Sequence, residues 1–182
     1  MSNGREAVKY VLGRHSAREY TGEPVDPADV DVLMEALRSA PSAGNVQPWL
    51  FYVVTRPEAR AALAKAAYGQ AFVERAPLVF VVCADPDLSA ATYRDRGREL
   101  YCYQDTAAAV ENLLIVAHML GYGACWVGAF DEKKARRALD VPDHLRPVAI
   151  VPVGPAHPIT HFPDRRPAET IFRTVGTGAS SR

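Results

Sequence analysis

Cysteine is scarce in this chain: Cys83, Cys102 and Cys125 are the whole set, odd in number and without a CxxC pairing. A disulfide framework is therefore excluded as the basis of the fold, and a reduced, cytoplasmic protein is expected. Net charge is missing too, since 21 lysines and arginines meet 21 acids. Without a basic excess, neither nucleic acid nor a membrane surface is an expected partner. The strongest apolar runs, residues 78–84 and 148–153, are far too short to cross a bilayer. The N-terminus, Met-Ser-Asn-Gly-Arg-Glu, carries no apolar signal core. No GxxxxGKS/T loop, GxSxG elbow or HExxH helix occurs, which leaves triphosphatase, hydrolase and zinc-peptidase chemistry without a motif. His157 and His161 are four apart, but Pro158 separates them and Pro155 and Pro163 flank them, so they are not a helical ligand pair. Cys102 has no adjacent His or second Cys and reads as a structural thiol.

What is present describes an α+β domain. Its 182 residues, 48% hydrophobic and 23% charged, suit one globular unit over 1–182. Residues 6–12 set Val8, Val11 and Leu12 on one helical face, with Gly13 as the stop. A polar, irregular stretch follows to Pro24. Asp26 then caps a helix with Pro27 at its first position. The loop APSAGNVQP, residues 40–48, leads to a strand over 49–55, and Thr55 and Glu58 have capping-box spacing for a short helix. Residues 78–84 read as a buried strand. Residues 85–104 show no period. Asp105 or Thr106 is expected to cap a helix ending at Leu120, apolar over much of its circumference and therefore central. His118 lies within it and reads as a hydrogen-bonded core or interface residue. Asp131 caps a further short helix, 147–153 forms the last strand, and residues 155–182 read as an extended C-terminal arm with a frayed end.

Two features could carry chemistry. Arg14-His15-Ser16-Ala17-Arg18 packs two guanidiniums, a hydroxyl and an imidazole between two helices. Forked, permanently charged donors beside a hydroxyl suit a phosphate; the same residues also suit a solvated basic turn. Arg165-Arg166 in the arm has the same two readings. Gly121, Gly123 and Gly128 follow a helix and lead to a strand-like segment, the reverse of a dinucleotide fingerprint. Gly128 serves either a close backbone approach to a flat ligand or a bulge or tight turn. Without an acid, base, metal or nucleophile constellation, the chain should bind something or borrow its chemistry from a cofactor.

Four segments in order, RHSAREY, PSAGNVQPW, DTAAAVENLLIVAHMLGYGACWVGAF and RRP, resemble the FMN-dependent nitroreductase family from about residue 14 to 166. The resemblance implies a mostly antiparallel sheet flanked by helices, dimeric, with two FMN sites shared between subunits. Arg14 and Ser16 would meet the FMN phosphate, His15 would contact it through its backbone, and Arg18 would face the N1/O2 edge. Pro41, Ser42 and Asn45 would reach the flavin of the opposite subunit; Gln47 either supports that loop or is structural. Gln70 would read the pyrimidine edge, whose carbonyl and N–H suit an amide. The backbone of Val127, Gly128 and Ala129 would reach N5 and O4, while the Trp126 side chain reads as core packing. Arg165 and Arg166 would close the phosphate site. Larger relatives insert helices where residues 85–103 are brief here, which bears on substrate choice.

The implied activity is ping-pong hydride transfer from NAD(P)H, as cosubstrate, through noncovalent FMN to a quinone-like or nitroaromatic small-molecule acceptor. One shared flavin face would explain the lack of a nicotinamide fingerprint. Two alternatives stay open: a relative using FMN for dehalogenation, dehydrogenation or flavin fragmentation, and a flavin-binding module of low turnover.

Overall fold

The computed structural model describes residues 4–158 and 164–176. Its elements in chain order are α1 (Gly4–Gly13), α2 (Pro27–Arg38), β1 (Trp49–Val54), α3 (Pro57–Ala66), α4 (Phe72–Arg75), β2 (Leu78–Ala84), α5 (Pro86–Arg96), α6 (Cys102–Met119), β3 (Gly123–Ala124), α7 (Glu132–Leu139), β4 (Arg146–Gly154) and α8 (Ala168–Ile171). The sheet runs β1-β2-β4-β3 with every pair antiparallel. The expected α+β architecture of an antiparallel sheet with helices is what the chain forms. No described helix is long and apolar enough to cross a membrane.

β2 is buried along its whole length because both faces of the sheet are covered. Alternation divides its side chains: Val79, Val81 and Cys83 pack with α3, α4 and α7, whereas Leu78, Phe80 and Val82 pack with α2 and α6. The β2–β4 register slips between Val82 and Cys83, where Pro147, lacking an N–H, faces Cys83. α6 buries Ala109, Val110, Leu113, Leu114 and Ala117 against the second of these layers, as its apolar circumference requires.

Three expectations need correction, and residues 85–104, which show no period in the sequence, are helical from Pro86 onward. Asp85 caps α5 through Leu88 N–H at 2.9 Å with Pro86 in the first turn, repeating the Asp26-Pro27 arrangement of α2. The chain kinks at Arg94 (φ 50°) and makes a π turn over Gly97–Tyr101 that runs directly into α6. An added Cβ at Gly97 would strike the Ser89 carbonyl, so only glycine permits that fold-back. Consequently neither Asp105 nor Thr106 caps α6; the Thr106 hydroxyl donates back to the Cys102 carbonyl at 2.8 Å, an interior helix bond. Thr55 is not a cap either, because α3 begins after Arg56 without a side-chain cap bond. Finally, the arm is not wholly extended: α8 interrupts it, and its expected frayed end lies outside the described residues apart from Gly176.

Candidate flavin site

The segment after α1 is less irregular than its polarity suggests. At Gly13 the chain passes tightly over α6, and an added Cβ would stand 2.9 Å from His118 Nε2. Ser16 then forms a parallel bridge with Ala124, and Ala17 N–H donates to the Ala124 carbonyl at 3.0 Å. This strand-like pairing imposes a period of two: Ala17 is buried, while Ser16 and Arg18 face outward. Tyr20 locks the segment to the sheet, its hydroxyl placed to donate to the carbonyls of Ala17 (3.1 Å) and Pro152 (3.0 Å). Burial pushes the pKa of that phenol far above its usual range, so it keeps its proton and remains a donor. Arg18 lies over the Phe72 ring at 5.9 Å, and Arg14 Nε sits 3.7 Å from Glu111 Oε1 on α6.

The common neighbour of these side chains is Cys125. Burial raises its thiol pKa, and Arg18, Ser16 and Arg14 all pull it back down, Ser16 by a hydrogen bond. Two guanidiniums and a hydroxyl thus gather at the foot of residues 123–129. Gly123 is there for packing, since an added Cβ would stand 2.5 Å from the Cβ atoms of both Ala17 and Ala156. Further along, Val127 exchanges both backbone hydrogen bonds with Ile150 (2.9 and 3.1 Å), so its N–H is committed to the sheet. Gly128 and Ala129 come next, both exposed, and their N–H groups meet no acceptor among the described residues. A Cβ at Gly128 would meet only Trp126 Nε1, at 3.8 Å, and its φ is not positive. Neither backbone strain nor crowding by described residues requires a glycine at that position. Gln70 reaches the same place, its amide donating to the Ala129 carbonyl at 3.3 Å and the Ala67 carbonyl at 3.0 Å.

Behind the basic segment stand two imidazoles. The rings of His15 and His118 meet edge to face at 5.9 Å, with Tyr10 at 6.3 Å from His118. Burial, then His15 and Arg14, lower the His118 pKa, which keeps that ring neutral behind two cations. His118 is thus half-buried under α1 and the basic segment, outside the core, and held by ring contacts with Tyr10 and His15.

The loop before β1 is held from elsewhere. Ala43 N–H donates to the buried Asp105 carboxylate at 3.1 Å, and Gln47 N–H donates to Ser42 Oγ at 3.0 Å. The Gln47 amide also contacts the Asn45 carbonyl and side-chain oxygens at 3.3 Å, so Gln47 supports the loop. Gly44 and Asn45 both have positive φ (57° and 56°), which presents Pro41, Ser42 and Asn45 at the surface of a rigid turn. Asp105 Oδ2 is buried without a partner, and burial raises the carboxyl pKa, opposed by the Ala43 N–H. The folded state therefore keeps a proton that the unfolded chain releases near pH 3.9, and stability falls as pH rises through that window. Asp105→Asn retains the acceptor for Ala43 and removes the charge. Urea unfolding should show the variant at least as stable as the parent at pH 7, with its advantage shrinking towards pH 4. A variant less stable at pH 7 and equal at pH 4 would mean the charge is compensated.

Of the residues the sequence singles out, the fold gathers Arg14, Ser16 and Arg18 around Cys125 and sets Gln70 beside Gly128 and Ala129. The loop that carries Pro41, Ser42 and Asn45 is instead tied to α6 through Ala43 and lies against Tyr93 of α5 at Gly44, and Arg165 and Arg166 stand exposed on the arm without a described bond to the basic segment. Trp126 is 39% exposed, so core packing does not describe it; Val127 occupies the buried position. The second ring of residues, Cys125, Glu111 and Asp105, was missed because nothing in the sequence separates a buried acid or thiol beneath a loop from any other. No group of three or more His, Cys, Asp or Glu residues able to hold a metal occurs among the described residues, and His161 lies outside them.

Residues 11–155 match the Nitroreductase family. A protein of Archaeoglobus fulgidus, whose name includes NAD(P)H nitroreductase, is 34% identical over 154 residues, covering 82% of this chain and 84% of its own. The FMN reductase (NADPH) of Bacillus subtilis is 25% identical, over 91% of this chain and 72% of its own. Among solved structures, a nitroreductase family protein from Streptococcus pneumoniae superposes with a TM-score of 0.81 at 26% identity, covering 94% of this chain and all of that one. The order of the fold, the basic strand beside β3 and the matched span agree: the chain belongs to the nitroreductase family.

Proposed function

We propose that the protein is an NAD(P)H-dependent FMN oxidoreductase that works as a homodimer on quinone-like or nitroaromatic acceptors. The observation that carries this reading is the pair of uncommitted N–H groups at Gly128 and Ala129, laid open beside Gln70 on the segment whose Cys125 has Arg14, Ser16 and Arg18 around it. The residues fit the group. Two guanidiniums and a hydroxyl suit a phosphate, an amide suits the pyrimidine edge, and a backbone without a Cβ suits the flat ring. The name of the Bacillus subtilis relative, FMN reductase (NADPH), supports the same cofactor and cosubstrate.

In this reading Arg14 and Ser16 bind the phosphate, joined by the backbone of His15 and, from the arm, by Arg165 and Arg166. Arg18 faces the N1/O2 edge, where a cation favours negative charge. Val127 anchors to Ile150 so that Gly128 and Ala129 keep a fixed position, and Gln70 holds the Ala129 carbonyl. Bound FMN supplies two-electron transfer between a nicotinamide and an acceptor; the chain supplies binding and orientation. Pro41, Ser42 and Asn45 reach the site from the second subunit. Exposed apolar side chains on α1, among them Leu12 at 75%, and Met34 on α2 give that subunit something to cover.

Light scattering coupled to absorbance tests cofactor and assembly together. The expected result is a species of twice the 19.8 kDa chain mass with one flavin per chain. A colourless protein that fails to quench added FMN overturns the cofactor, and a flavin-loaded species of single-chain mass overturns the dimer.

A further inference from the structure

Beside Gly128 lies a cavity of about 250 Å3 that the basic segment and Gln70 do not touch. Tyr103 and Phe130 give it aromatic walls, Pro147 and Val148 an apolar floor, and Glu132 and Arg146 a polar edge. The volume lies below the roughly 300–1,000 Å3 of sites for drug-sized ligands, so it admits a single substituted ring. Arg146 is held by three contacts: Nε and Nη2 donate to the two oxygens of Glu132 at 2.9 and 2.8 Å, and Nη1 donates to Tyr103 Oη at 3.1 Å. Its guanidinium also lies 5.3 Å from the centre of the Tyr103 ring. A guanidinium has five N–H donors, so two remain uncommitted. Glu132, in the first turn of α7 where a negative charge is favoured, cancels the charge of Arg146 without filling its donors.

A site with spare donors and no net charge has a definite preference. An uncharged oxygen, as in a carbonyl, carboxamide or nitro group, can accept from Arg146 at little desolvation cost. A carboxylate would gain the same hydrogen bonds but stand beside the Glu132 carboxylate, where like charges repel.

We propose that this cavity is the polar subsite for the electron acceptor, in which Arg146, steadied by Tyr103, takes an uncharged oxygen of a single-ring substrate while Glu132 discriminates against carboxylate-bearing rings. The proposal rests on the reading of Gly128 and Ala129 as the backbone that faces the flavin. It assigns Arg146 to binding and Glu132 to specificity.

The test uses FMN-saturated protein and two matched pairs. Benzamide and benzoate report binding through the absorbance of the oxidised flavin, and 4-nitrobenzamide and 4-nitrobenzoate report kcat/KM. The parent should prefer the amide of each pair. Glu132→Gln keeps a hydrogen-bonding partner for Arg146 but removes the repelling charge, and should move both ratios about tenfold towards the carboxylate. Arg146→Gln should weaken both members of each pair and leave flavin content unchanged. Ratios that stay fixed in Glu132→Gln, or binding that stays fixed in Arg146→Gln, overturn the subsite while flavin absorbance still stands. A parent that holds no FMN overturns the functional reading and this proposal with it.

Discussion

Arg14→Ala is expected to lower FMN affinity by about 10- to 150-fold, the range for losing a charge-assisted hydrogen bond of roughly 1.5–3 kcal/mol. Two features place the effect near the upper end. The Arg14 side chain is only 19% exposed, so its contact with a phosphate would be poorly screened. Its removal also leaves Glu111, 3.7 Å from Arg14 Nε, as an unpaired negative charge next to the phosphate position. Glu111→Gln should therefore move affinity the other way, freeing the guanidinium for the ligand. Fluorescence quenching of FMN gives both numbers directly.

Arg18 carries a different expectation although it lies four residues away. It is exposed, stacked against Phe72 and on the side of the strand that faces the site. Arg18→Ala, measured on protein saturated with FMN, should lower the flavin reduction potential and slow reduction by nicotinamide, because the cation there stabilises the reduced anion most. If Arg14→Ala shifts the potential and Arg18→Ala does not, the flavin lies the other way round. Loss of neither property in either variant would reduce the segment to a basic turn.

The contrast between these two arginines shows what was legible before the fold was known. A basic cluster beside a hydroxyl is a compositional signal, and β2, α2 and α6 were legible because their apolar periods are long and unbroken. The alternation that turns Ser16 and Arg18 outward was not, because it comes from pairing with Ala124, a residue more than a hundred positions away. α5 was missed although Asp85-Pro86 repeats the cap of α2, since its helical faces carry no apolar stripe and only tertiary packing marks it as a helix. Asp105 misled for a related reason. An acid before an apolar run reads as a cap, whereas here the helix starts earlier and the carboxylate holds a loop 62 residues away.

The cavity at Arg146 was invisible for a third reason. Tyr103, Glu132 and Arg146 belong to α6, α7 and β4 and share no motif; only the antiparallel return of β4 beside residues 127–129 brings them to one edge. The residues proposed to hold the cofactor were readable as a resemblance, whereas those proposed to hold the acceptor come together only in the fold.

The two glycines of the 123–128 segment should separate folding from binding. At Gly123 an added Cβ would stand 2.5 Å from the Cβ atoms of Ala17 and Ala156, both fixed to backbone that cannot rotate away. Gly123→Ala must therefore shift the basic strand or the start of the arm, an overpacking cost of about 1–3 kcal/mol. For a chain of this length that lowers Tm by about 2–4 °C per kcal/mol. Because Ala17 sits between Ser16 and Arg18, the same shift should also weaken FMN binding. Gly128 is the opposite case. Its Cβ would have only ordinary contact with Trp126 Nε1 at 3.8 Å, so Gly128→Ala should leave apoprotein stability within about 0.5 kcal/mol of the parent. The methyl group would nevertheless stand between a flat ligand and the two free N–H groups. Losing two neutral hydrogen bonds of about 0.5–1.5 kcal/mol each predicts a roughly 5- to 150-fold weaker FMN complex. Thermal unfolding of the apoprotein and FMN titration of both variants check the pair. A Gly128→Ala protein that binds FMN as the parent does would remove the flavin from that backbone, whatever its stability.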